Sequence, residues 1–95
     1  MIERHITFNV HPGKGEAFER FFAGDYAPAM GQAPGFVRVE LLREADDPSR
    51  YQMVLRWRDG ESAVAWRTSE VHTALQPALN ALHGGLEVLA YEVIG

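Results

Sequence analysis

The N-terminal residue pattern leaves little choice of local structure. Ile2, Ile6, Phe8 and Val10 fall on even positions while Glu3, His5, Thr7 and Asn9 fall on odd ones, the two-residue period of a half-buried strand. His11-Pro12-Gly13-Lys14-Gly15 breaks that run. Phe18, Phe21, Phe22, Tyr26, Ala29 and Met30 then recur at three- and four-residue steps, as on the buried stripe of a helix. The spacing predicts a helix from Lys14 to about Ala27, with Gly24 and Pro28 weakening its end. A chain that switches period in this way lays a helix against a sheet.

The next punctuation, Gly31 to Gly35, ends in Pro34-Gly35 and suits a turn with positive φ at the glycine. Two strands follow, Phe36 to Arg43 and Tyr51 to Arg58, joined by a charged loop from Glu44 to Arg50, and they are expected to pair antiparallel. Asp59 and Ser69 each read as helix N-caps. Ala63, Val64 and Trp66 form a short stripe after the first cap, and Val71, Leu75, Leu79 and Leu82 a longer one after the second. Pro77 is expected to bend that second helix, His83 to lie in its last turn and Gly84-Gly85 to terminate it. A mostly apolar strand from Leu86 to Ile94 closes the chain.

The resulting order is β-α-β-β-α-β, the ferredoxin-like α+β arrangement of a four-stranded antiparallel sheet with helices on one face. Val37, Val39 and Leu41 share one face of their strand, and Tyr51, Met53, Leu55 and Trp57 one face of theirs. The opposite faces mix apolar and charged residues such as Phe36, Arg38, Glu40 and Val54. A second sheet face of that kind is expected to be covered by another sheet.

At 95 residues the chain is expected to form a single domain over positions 1–95. Area scaling gives roughly 5,500 Å² exposed when folded against about 15,400 Å² unfolded. That is marginal for a lone monomer, so a partner subunit would help. A formal net charge of -4 argues against nucleic acid or an anionic membrane as a partner, since both require a cationic face. The absence of cysteine removes disulfides, thiolate nucleophiles and cysteine metal sites. No apolar run follows Met1-Ile2-Glu3-Arg4-His5, so neither a signal peptide nor a membrane span is expected and a cytoplasmic location fits.

Several chemistries lack their signatures. Gly13-Lys14-Gly15 is too short for a phosphate loop, and its lysine has no following Ser or Thr. His5, His11, His72 and His83 show no compact ligand spacing, so no metal is assigned. Ser69 and His72 lie one helical turn apart, but no nucleophile elbow surrounds Ser69.

Three segments carry a family resemblance. Ala33-Pro34-Gly35-Phe36 leads into Val39-Glu40-Leu41-Leu42-Arg43; Tyr51 to Trp57 follows; Trp66-Arg67-Thr68-Ser69-Glu70-Val71-His72 gives a W-x-x-S-x-x-H ending. In order and spacing this resembles the antibiotic-biosynthesis monooxygenase family. The resemblance implies a homodimeric α+β barrel, two sheets face to face, which would supply the cover argued for above. It also implies activity without metal or flavin on a small aromatic, phenol- or quinol-type compound. In that chemistry an electron-rich anion itself reduces O₂, and the protein supplies a dry aromatic pocket, a base and donors for the developing charge.

Carried onto this chain, the resemblance implies that Trp66 walls the pocket, that His72 or His5 moves the phenolic proton, and that Asn9 or Arg38 bonds the oxygen anion, with Tyr51 a further ligand contact. Trp66 and His72 are then expected to face a cavity of ~300 Å³ or more. The bland readings stand beside these: Trp66 as core, His72 as a first-turn surface residue, His5 and Asn9 as a solvated strand face, Tyr51 as strand packing. Two other functions remain open. One is a dimeric small-ligand binder without activity. The other is a haem-binding or haem-degrading protein, although where that branch places its haem-ligating histidine this chain has Gln76 and then Pro77.

Overall fold

The computed structural model describes every residue from Met1 to Gly95. Strands β1 (Ile2–Val10), β2 (Phe36–Arg43), β3 (Arg50–Trp57) and β4 (His83–Glu92) form one antiparallel sheet in the order β2-β3-β1-β4. The two central strands are β1 and β3, paired in register from Ile2 opposite Trp57 to Asn9 opposite Arg50. This is the expected ferredoxin-like β-α-β-β-α-β arrangement.

Register fixes the faces. Even residues of β1 and odd residues of β3 point to the helices, and Phe8, Met53, Leu55 and Trp57 are each no more than 1% exposed there. Phe18, Met30, Ala63, Trp66 and Leu79 come down from the helices to complete the same core. The odd residues of β1 lie on the other face with Gln52, Val54 and Arg56 of β3, and no element of this chain covers them.

The first helical stretch departs from expectation. It runs as α1 (Gly15–Phe21), a π-helical turn (Phe22–Tyr26) and α2 (Ala27–Gly31). The helix therefore continues past Pro28 and does not end near Ala27. Pro28 sits in the first turn of α2, directly after the π segment. The Ala27 N–H donates to the Phe22 carbonyl, a five-residue step that inserts one extra residue into the turn and swings Tyr26 into the core.

Pro34-Gly35 behaves as expected: Gly35 has φ +81, and a Cβ there would overlap the Ser62 hydroxyl. Both N-caps form. Asp59 Oδ1 accepts from the Ser62 N–H at 2.8 Å to open α3 (Gly60–Arg67), and Ser69 Oγ accepts from the His72 N–H at 3.1 Å to open α4 (Glu70–Asn80).

At the other end of α4 the boundary moves. His83 is the first residue of β4, not the last of the helix, and Gly84-Gly85 lies inside the strand. The helix closes earlier because the Ala81 and Leu82 N–H groups already bond Pro77 and Leu79 carbonyls. Val10 then pairs with His83 and Phe8 with Leu86, so the glycine pair falls where the register between β1 and β4 shifts.

Candidate functional site

Six elements, strands β1, β3 and β4, the π turn, α3 and α4, line a cavity of about 160 Å³ between the sheet and the helices. Trp66 enters from the last turn of α3 and His72 from the first turn of α4, with ring centroids 5.4 Å apart and planes at 81°. A single hydroxyl ties the two backbones together. Ser69 Oγ donates to the Trp66 carbonyl at 2.8 Å while it accepts from the His72 N–H, so the end of one helix and the start of the next share one side chain. Tyr26, turned inward by the π segment, meets Trp66 edge-on at 5.9 Å.

Aliphatic side chains make the floor and outer wall. Ile6 and Leu55 come from the sheet and Leu79 from α4, while Leu86 and Val88 of the edge strand line the cavity and are also exposed. The polar contribution is cationic. Arg4, Arg67, His72 and Gln76 line the cavity, and no Asp or Glu does.

Electrostatics follow from burial and from those cations. Desolvation, then the charges of Arg4 and Arg67, hold His72 below the ordinary histidine value, so the imidazole is neutral at pH 7 and free to accept a proton. Gln76 Nε2 lies 3.2 Å from His72 Nε2 and reaches the His72 carbonyl at 3.4 Å. Burial raises Tyr26, which keeps its phenol protonated, while Arg4 opposes the shift. No three His, Asp or Glu side chains approach closely enough to hold a metal ion.

Of the residues singled out from sequence, Trp66 and His72 meet in this cavity. His5, Asn9 and Arg38 do not join them. They lie on the uncovered face of the sheet, because odd positions of β1 and the Arg38 register of β2 point away from the helices. His5 Nε2 is 2.8 Å from Glu3 Oε2, Arg38 bonds Glu40 at 2.6 Å, and Asn9 is exposed. Tyr51 faces the helices but at the far end of the sheet. It is 2% exposed and donates to Glu19 Oε2 at 2.5 Å.

The cavity is also smaller than the ~300 Å³ expected, because the rings of Phe8, Tyr26 and Trp66 fill much of the space under the helices. Arg4, Tyr26, Arg67 and Gln76 also line the cavity, and none belongs to a motif that marks it as a site residue. One signal was present: Arg4 is the single charge on the even, apolar face of β1.

Residues 1–78 match the family model for antibiotic biosynthesis monooxygenase. The chain belongs to that family. A haem oxygenase (mycobilin-producing) of Mycobacterium tuberculosis H37Rv is 31% identical over 89 residues, covering 93% of this chain and 84% of the relative. SnoaB of Streptomyces nogalater, a cofactor-independent oxygenase, superposes with a TM-score of 0.89 at 29% identity, covering 99% of this chain and 93% of SnoaB. A protein of Methanosarcina mazei shares the fold, with a TM-score of 0.85 at 19% identity over 95% of this chain and 89% of its own.

Proposed function

We propose that this family member is a cofactor-independent monooxygenase of a small phenol or quinol, working as a cytoplasmic homodimer with one cavity per chain. The observation that carries the reading is the neutral, partly desolvated His72 held against Trp66 in a cavity that contains cations and no carboxylate. The likeness to SnoaB supports the same class.

His72 takes the phenolic proton as general base, a role worth about 10²–10⁴-fold in rate. The Arg4 and Arg67 charges stabilise the resulting anion, whose ring carbon forms a bond to O₂ to give a hydroperoxide; the O–O bond then breaks with loss of water, leaving one oxygen atom on the ring as a quinone carbonyl. Trp66, Tyr26 and the aliphatic wall give the substrate ring an apolar surface to pack against. A cavity of about 160 Å³ suits a substrate of one aromatic ring, since an apolar cavity of about 150 Å³ accommodates benzene.

Oxygen uptake by chelator-treated, flavin-free protein with a panel of hydroquinones and naphthols tests this. We expect uptake on the one-ring compounds, reduced at least ~10²-fold in His72→Ala. No uptake with any of them ends the reading.

Haem degradation is the second reading, favoured by the 31% identity to the mycobacterial haem oxygenase. The cavity argues against it, being below the roughly 300–1,000 Å³ of ordinary ligand pockets. A Soret shift on adding haemin that disappears in His72→Ala would restore it.

A further inference from the structure

Arg4 is out of place by every local rule. It sits on the helix-facing side of a central strand, between Leu55 of β3 and Ala90 of β4, flanked along its own strand by Ile2 and Ile6. It is partly buried, lines the cavity, and makes no ion pair and no side-chain hydrogen bond. The chain's other partly buried strand arginine is treated differently: Arg56, on the open face, is forked onto Glu3 through Nε at 2.9 Å and Nη2 at 2.5 Å.

The neighbourhood of Arg4 deepens the anomaly. Arg67 lines the same cavity, also without a carboxylate partner, and its charge adds to burial in disfavouring the protonated form of Arg4. A desolvated, unpaired cation beside a second cation is unfavourable unless something offsets it. The chain as a whole carries a net charge of -4, so this is not a local sample of a basic protein. The missing component is an anion, and the rest of the lining describes its body: aromatic edges from Trp66 and Tyr26, aliphatic walls, and room for one ring.

We propose that the cavity binds the anion of a single-ring aromatic acid, with its carboxylate forked on Arg4 and flanked by Arg67, and its ring against Trp66 and Tyr26. This deepens the oxygenase reading by naming a substrate class, and rests on it only for turnover. A ring hydroxyl para to the carboxylate then lies toward His72, the base of that reaction. Arginine serves better than lysine here because its planar fork matches both carboxylate oxygens.

Calorimetric titration with 4-hydroxybenzoate and with its neutral isostere 4-hydroxybenzamide tests the site. The acid should bind at least tenfold more tightly than the amide. That preference should vanish in Arg4→Gln, persist in part in Arg4→Lys, and be unchanged in Arg20→Gln, whose side chain is in solvent. Equal affinity for acid and amide, or a preference that survives Arg4→Gln, overturns the proposal. Should Arg4→Gln fail to give a native near-UV spectrum, Arg67→Gln at its exposed position replaces it, with a several-fold loss of the preference expected and no change counting against the site. Oxygen uptake recorded alongside separates the two ideas. An acid preference without uptake on any panel member keeps this site and removes the oxygenase, while uptake on neutral quinols with no acid preference does the reverse.

Discussion

Glu3 shows how the uncovered face of the sheet manages its charges. Hydrogen bonds from His5 and then Arg56 hold its carboxyl down to about 2, well below the usual carboxylate value. Because the folded value is depressed, Glu3 contributes stability above its unfolded value of 4.5, and that contribution is lost as pH falls from there toward about 2. Denaturant melts of Glu3→Gln should therefore show a flatter decline of stability between those limits than the parent, and superimposable declines would remove Glu3 from the acid response. His72 titrates on the other side of the sheet. Burial and the two arginines favour its neutral form when folded, so its contribution is complete above the ordinary histidine value of 6.5 and fades as pH drops below it. An NMR titration of His72 should give a midpoint below 6.5 that rises in Arg67→Gln; a midpoint at or above 6.5 in the parent would contradict the account.

Among the elements, the α3–α4 junction matters most, since Ser69 both caps α4 and bonds the Trp66 carbonyl. Ser69→Ala is expected to lower stability by about 1 kcal/mol, the usual loss for an N-cap. It should also reduce oxygen uptake beyond what stability explains, because His72 and Trp66 lose their shared tether. A variant with the expected loss in chemical denaturation but unaltered turnover would make Ser69 a cap and nothing more. The caps were legible in the sequence because a side chain that bonds an N–H three residues on is a local device. The π turn was not, since the spacing of Phe22 and Tyr26 fits an α-helical stripe as well, and only packing selects the wider turn. The start of β4 was misplaced for a related reason. A glycine pair terminates helices by local preference, but here the pairing of Val10 with His83 and of Phe8 with Leu86 puts it inside a strand.

At the scale of the whole molecule, only 14 of 95 residues are buried and the surface is 5765 Å², close to the roughly 5,500 Å² expected for a folded monomer of this mass. A core that small gains from a partner. Leu42, Leu89 and Tyr91 are exposed on the uncovered face or its edge strands, with Leu89 at 60%. Sedimentation equilibrium at micromolar concentration should return a dimer, and Leu89→Asp should shift it toward monomer. A monomeric parent would leave the apolar residues of that face without their proposed cover.

Element order, strand pairing, most of the core and both N-caps were determined by the sequence alone, because periodicity and capping act over a few neighbouring residues. It also placed Trp66 and His72 one helical junction apart. What it left undecided was which polar residues share their cavity: His5, Asn9 and Arg38 were read as partners, yet a sheet one residue thick separates them from the helices. Arg4, Tyr26, Trp66 and His72 come from a strand, a π turn and two helices. Their meeting depends on contacts between segments far apart in the chain, and long-range packing alone brings those together.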